Sequence, residues 1–266
     1  MNKILTRWFT LILILSFPLF ASNSTPKQLS AYYTAPKQKT ELLIKKFQSN
    51  GFSVLATTKI LEKYNIITIT NTELQNTNSY MATLQVNVND KEIRIQNPSY
   101  LAAAYLGKNY YYGQFKNTLN ALKRVLGTLN GDFQKADFST LATYSFMYGL
   151  PQKEDTLTIK KSRRLIEKIS SPRVSQYIAY TLVLPNGSIL VGHKLRKKTT
   201  KFLEKLEQSK NAQILPYESM IIGNEATMMN PKYYLALSLP MLSLQEFMKI
   251  ASVPDQIYRN IKKAYK

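Results

Sequence analysis

Proton transfer and nucleophilic attack draw on histidine, cysteine or a perturbed carboxylate, and this chain offers one histidine, His193, and no cysteine. His193 stands in Val191-Gly192-His193-Lys194, near the end of an expected hairpin strand. The charges of Lys194 and Arg196 beside it disfavour its protonated form, and a lone strand histidine reads as a surface or structural residue before a catalytic one. The nitrogen and sulfur ligands of a structural zinc site are missing. The sixteen carboxylates are scattered without calcium-loop spacing. Glu154-Asp155 is the one adjacent acid pair, and on a strand its side chains point to opposite faces. None of the nine glycines forms a phosphate-cradling loop. No catalytic residue, metal or cofactor is therefore assigned.

Two residue classes remain. Of eighteen tyrosines, seven cluster at residues 110–112, 144–148 and 233–234, and tyrosine, with its apolar body and polar tip, suits a ligand-lined cleft or an interface. Thirty-six Lys and Arg against sixteen Asp and Glu give a net charge of +20, a field that attracts anions. Most cations are lysines in a background rich in Asn and Ile, which compositional bias alone also produces. They form runs at residues 160–164, 194–201 and 262–266. Phosphate contacts need only such charges, but no nucleic-acid module surrounds them, so nucleic acid is disfavoured. Anionic lipid or envelope polymer is the better partner, and a basic C-terminal helix over residues 252–266, with Ile257, Ile261 and Tyr265 opposite its lysines, is the expected surface contact.

The elements that position these residues show a duplication. Asn97-Pro98-Ser99-Tyr100-Leu101-Ala102-Ala103 returns as Asn230-Pro231-Lys232-Tyr233-Tyr234-Leu235-Ala236. Asn is a favoured N-cap and Pro suits the first helical position, so each copy reads as a strand leading into a helix. Strands are expected at residues 29–33, 52–56, 66–70, 80–88 and 92–95, with helices over 39–50 and 97–106. In the second half, strands are expected at 177–184, 188–195, 214–222 and 226–229. Asn186-Gly187 predicts a tight hairpin because both residues accept positive φ. The fold class is α+β: two similar modules, each a mainly antiparallel sheet with helices on one face. The modules span residues 29–128 and 144–251, with a linker over 129–143. Tyr100, Tyr233, Asn97 and Asn230, at corresponding helix starts, are the candidate ligand-binding residues, together with Tyr111 and His193.

Lys3 and Arg7 precede a short apolar run broken by Pro18, which reads as a secretory signal peptide over residues 1–21 with cleavage after Ala21. A bacterial periplasmic or secreted location follows, with an uncleaved N-terminal membrane anchor as the alternative. The remainder has ordinary globular composition.

The segments Thr40-Glu41-Leu42-Leu43, Asn50-Gly51-Phe52-Ser53-Val54 and Ile66-Ile67-Thr68-Ile69-Thr70-Asn71-Thr72-Glu73-Leu74, with the Asn97-Pro98 helix motif, resemble the domain-of-unknown-function family numbered 302. The resemblance covers residues 29–107, with a diverged second copy ending at Leu239; Thr72 stands where the family pattern has proline. It implies a small α+β domain that associates in pairs, and no reaction. A tandem chain would make that pairing internally, as a pseudo-dimer. The expected function is a non-enzymatic exported protein that binds a small or amphiphilic ligand, or a partner protein, at the cleft between modules. An enzyme of unknown type and a basic envelope-associated structural protein are the alternatives.

Overall fold

The computed structural model describes residues 26–144 and 151–266. The expected signal peptide over residues 1–21 and the rest of the 144–148 aromatic cluster after Tyr144 lie outside the described residues. The first half runs β1 (Gln28–Ser30), β2 (Tyr32–Pro36), α1 (Thr40–Ser49), β3 (Ser53–Ile60), β4 (Tyr64–Thr70), α2 (Thr72–Gln75), β5 (Leu84–Val88), β6 (Glu92–Gln96), α3 (Pro98–Leu106), α4 (Lys116–Leu126), β7 (Asn130–Gly131), β8 (Lys135–Asp137) and α5 (Phe138–Leu141). The second runs β9 (Leu157–Lys161), α6 (Leu165–Ser170), β10 (Ile178–Val183), β11 (Ile189–His193), α7 (Lys197–Thr200), α8 (Phe202–Lys205), β12 (Tyr217–Ile222), β13 (Glu225–Met228), α9 (Pro231–Ser238), α10 (Leu244–Lys249) and α11 (Val253–Ile261).

The fold is α+β with antiparallel sheets. The six-stranded sheet has the order β3-β4-β5-β6-β2-β7 and the five-stranded sheet β10-β11-β12-β13-β9. Apart from β7, both follow one plan: the first strand leads through a helix to four consecutive antiparallel strands, then returns to the far edge beside the last of them. In each half an Asn-Pro helix follows that last strand.

The central strands β4 and β5 of the first sheet are buried on both faces, since every residue from Ile66 to Thr70 and from Leu84 to Val88 is out of solvent. α1 covers one face with Leu43 and Phe47, packing on β3 and β4 and against α4. The 3-10 turn Ser209–Ile214 of the second half contacts β4, β5 and β6. One hydrophobic cluster runs through both halves. Apolar burial of this kind, at ~25 cal/mol per Å² removed from water, joins them into one packed body.

Several expectations are corrected. Residues 129–143 are not a free tether: β7 pairs with β2, β8 pairs with β1, and Asp132 forms an ion pair with the buried Arg94. Residues 80–82 form a 3-10 turn rather than strand because the Ser79 hydroxyl accepts from Met81 N–H at 3.1 Å. Pro216, with no N–H to donate, lies just before β12, which starts at Tyr217 rather than at 214. The Asn186-Gly187 hairpin forms, but positive φ falls on Gly187 alone, at 83°. Pro185 and Asn186 precede it in a three-residue loop closed by Gly187 N–H to Leu184 C=O at 2.9 Å, the type I plus left-handed residue pattern. At the C-terminus, Ile257, Ile261 and Tyr265 are buried in the core, so the apolar stripe of α11 and the turn after it is not free to enter a membrane surface. Among the described residues no helix is long and apolar enough to cross a membrane.

Candidate functional site

The six residues singled out by sequence do not meet. Asn97 and Asn230 are N-caps: their Oδ1 atoms accept from Ser99 N–H at 2.9 Å and Lys232 N–H at 3.1 Å. Asn97, itself buried, also donates through Nδ2 to Ser30 C=O at 2.7 Å. Tyr111 is 68% exposed. Tyr233 is buried edge-on against Tyr144 with ring centroids 6.3 Å apart. Of the six, Asn230 lines a cavity of about 310 Å³, shared with Thr158, Asp255 and Tyr258.

Tyr100 belongs to an interior set that the motif alone does not reveal. A helix leaves its last four carbonyls without intrahelical partners, and three of those of α9 accept tyrosine hydroxyls. Tyr144 donates to Ala236 C=O at 2.9 Å, Tyr100 to Leu237 C=O at 2.7 Å, and Tyr32 to Ser238 C=O. Burial pushes all three phenols above their ordinary value, Tyr144 to about 12, so they stay protonated donors. This collar fills part of the interior between the halves.

A second internal network crosses the same interface. Thr83 and Tyr180 both donate to one oxygen of Glu218, and Gln85 donates to the Tyr180 hydroxyl at 3.2 Å. The strand register places Tyr180 opposite Gly192 and Gly192 opposite Glu218, so the tyrosine ring lies over the glycine to reach a carboxylate two strands away. Burial pushes the Glu218 carboxyl up to about 7, against the opposing pull of its two donors.

His193 is buried, and its Nε2 lies 2.7 Å from Ser219 Oγ, which is 2.6 Å from the Tyr265 hydroxyl. A serine within hydrogen-bond reach of a histidine has the spacing of an activated nucleophile and its base, but His193 and Ser219 are 1% and 0% exposed. His193 Nδ1 has no partner among the described residues to orient it. Burial, not the neighbouring cations, takes the imidazole down to about 3. A neutral, sealed pair of this kind packs the core.

Chemistry accessible to solvent lies where two of the three basic runs converge. The segment after β11, through α7, packs against α11. Between them Arg196, Lys198, Arg259 and Lys263 surround a cleft of about 400 Å³, completed by Thr199, Gln256 and Asn260. The cleft lining contains no carboxylate, and none of the four cations forms an ion pair among the described residues. Desolvation first, then the charges of Arg196 and Lys266, pull the Lys263 ammonium below its ordinary value. Asn260 fixes the two walls together: its Oδ1 accepts from Arg196 N–H at 2.9 Å and its Nδ2 donates to Thr199 Oγ1 at 3.2 Å. Arg259 on α11 and Lys263 in the 3-10 turn that follows it both face the cleft, while Asp255 and Tyr258 line the separate Asn230 cavity.

The other side of the same segment borders a pocket of about 340 Å³ at the rim between the halves. Its far wall is the β3–β4 hairpin, whose Leu61 and Glu62 have φ of 52° and 55°. Glu62 meets Lys197 at 2.9 Å, and the hydrogen bond and charge of that lysine hold the carboxyl below its usual range. Charge runs at residues 194–201 and 262–266 are readable in the sequence; their meeting is not, because no periodicity connects positions so far apart. Among the described residues no three His, Cys, Asp or Glu side chains group to hold a metal ion. Compared with known proteins, the chain matches no family model, no curated protein and no solved structure.

Proposed function

We propose that this is a non-enzymatic binding protein that holds an anionic group in the cleft between α7 and α11, acting outside the cytoplasm as the leader-like residues 1–21 suggest. One observation carries the reading: Arg196, Lys198, Arg259 and Lys263 converge on a cleft with no carboxylate in its lining. Like charges held together unpaired repel, so the arrangement costs stability that a bound anion returns. Arginine presents a planar fork matched to phosphate, sulfate or carboxylate oxygens, and lysine adds a point charge. An enzyme needs convergent titratable groups that reach substrate, and the single histidine lies sealed beside Ser219.

Calorimetric titration with inorganic sulfate at constant ionic strength, set by chloride, tests the reading. Saturable binding is expected in the parent protein, with loss of at least tenfold in affinity in Arg259→Glu/Lys263→Glu. Lys160→Glu, an exposed cation on β9, reverses the same kind of charge elsewhere and should leave affinity within twofold. Equal losses in both variants would mean a diffuse field rather than a site, and would reject the proposal.

A further inference from the structure

We infer that the outer edge of β9 accepts an extended, acidic segment of a partner protein as a sixth strand of the second sheet. The duplication shows where that strand belongs. In the first sheet β7 covers the outer edge of β2 at Tyr33 and Thr34; in the second, β9 takes the place of β2 and stands last in the order. On their inner side Tyr33 and Thr34 pair with Ile95 and Arg94, two and three residues before Asn97. Leu157 and Thr158 pair in the same way with Met228 and Thr227, two and three residues before Asn230. Leu157 and Thr158 are therefore the counterparts of the two residues that β7 covers, and among the described residues no strand covers them. They line instead the cavity of about 310 Å³ between β9, the start of α9 and α11.

The groups facing this cavity suit strand pairing. Asp132 N–H donates to Tyr32 C=O at 3.0 Å, and the polar groups of one strand residue share a side, so Tyr32 and Thr34 of β2 turn theirs outward. Thr158 of β9 does the same: its C=O accepts the Tyr258 hydroxyl from α11 at 3.1 Å, and its N–H lies on that outer side. Asn230 supplies a second donor. Its counterpart Asn97 donates through Nδ2 to Ser30 C=O, whereas Asn230 Nδ2 has no partner among the described residues, and a main-chain carbonyl of the added segment satisfies it. Strand addition takes its affinity from such main-chain bonds and its selectivity from alternate side chains; Leu157, Pro231 and Pro254 offer one of those an apolar wall.

Charge selects the occupant. Lys160 on β9 and Lys232 on α9 are exposed and form no ion pair among the described residues, and Lys262 stands over the Tyr258 ring at 5.5 Å. Against them the cavity lining has one carboxylate, Asp255. Two copies of a chain of net charge +20 repel, and edge lysines guard against pairing with a like strand. A segment bearing Asp or Glu meets attraction at the same edge.

The test measures binding of a labelled, end-capped heptapeptide of alternating valine and glutamate to the full chain by fluorescence anisotropy. Saturable binding is expected, undisturbed by inorganic sulfate at constant ionic strength. Only one alternate set of peptide amides can face β9, so N-methylating the valines and N-methylating the glutamates should differ at least tenfold in affinity, a comparison that leaves the protein untouched. Thr158→Pro removes the outward N–H while keeping the ladder to β13, as proline is tolerated on edge strands, and should weaken binding at least tenfold. Asn230→Ser keeps a capping oxygen but loses the amide donor, and should weaken binding severalfold with little change in melting temperature. Absence of saturable binding, or equal effects of the two methylation patterns, would overturn strand addition. Displacement by sulfate would place the peptide in the basic cleft instead. Equal binding of the analogue with lysine for glutamate would overturn the acidic class, and dimerisation of the parent that Thr158→Pro abolishes would give the edge to a second copy.

Discussion

Gly192→Ala is the sharpest probe of how the two halves are held together. Its backbone lies in the regular strand β11 and not in the left-handed region, so alanine meets no conformational penalty there. Any cost is steric. An added Cβ would lie 2.2, 2.5 and 2.7 Å from three ring carbons of Tyr180, against ~3.5–4.0 Å for carbon atoms in contact. The ring must therefore withdraw by more than an ångström, and its hydroxyl leaves Glu218. Overpacking costs about 1–3 kcal/mol, and losing the hydrogen bond to Glu218, whose carboxyl burial keeps protonated up to about pH 7, a further ~0.5–1.5 kcal/mol. The combined loss, about 1.5–4.5 kcal/mol, is a large part of the ~5–15 kcal/mol that stabilises a domain. Urea unfolding of the parent, Gly192→Ala, Tyr180→Val and the double variant measures it. In the Tyr180→Val background the added methyl has no ring to meet, so Gly192→Ala should change stability by less than about 0.5 kcal/mol or raise it slightly, as alanine loses less backbone freedom than glycine. Equal effects of Gly192→Ala in both backgrounds would refute the ring-over-glycine account.

Two further expectations concern stability. Asn230→Asp should be nearly neutral because a carboxylate caps as well as an amide, while Asn97→Asp loses the donor to Ser30 C=O; Ala at either position costs about 0.5–2 kcal/mol, and thermal melts of the four variants that rank otherwise would dismiss the capping role. For pH, Glu218 with its carboxyl near 7 keeps a proton in the folded state that the unfolded chain releases near 4.5, so its contribution falls as pH rises from 4.5 to 7. His193, held near 3, refuses a proton that the unfolded chain takes up near 6.5, so its contribution falls as pH drops below 6.5. Between pH 4.5 and 6.5 the slopes oppose, and Glu218→Gln should expose the His193 slope, about 1.4 kcal/mol per pH unit. Urea midpoints at pH 5 and 6 that are as flat in the variant as in the parent would contradict this pairing.

Local signals are legible in the sequence and tertiary ones are not. Asn97-Pro98 and Asn230-Pro231 announce helix starts because capping is a short-range interaction. The Asn186-Gly187 pair places its turn without typing it, since Pro185 also belongs to the loop. Alternation along residues 84–88 marks the strand but not its burial on both faces, because what covers the second face comes from the other half. The repeat picks out Tyr100, yet the role of that tyrosine depends on Leu237 C=O, a backbone group with no sequence signature. Sequence leaves His193 open between a surface and a structural residue; Ser219 and Tyr265, from distant positions, enclose it and make it structural. The four cations of the cleft are each visible as charge; only the packing of α11 on α7 makes them one site.

The tyrosine collar on α9 also orders events in time. Tyr32 lies 206 residues before the carbonyl it caps, and Tyr100 lies 137 before its own. Contacts between such distant positions close late and slow the search for the native state. A chain emerging from its N-terminus can build the first sheet, but it must keep two hydroxyls uncommitted until almost the whole sequence has appeared. Until then the first half presents an apolar, donor-bearing surface awaiting its own last helices, and that interval is when the nascent protein most needs protection from other chains.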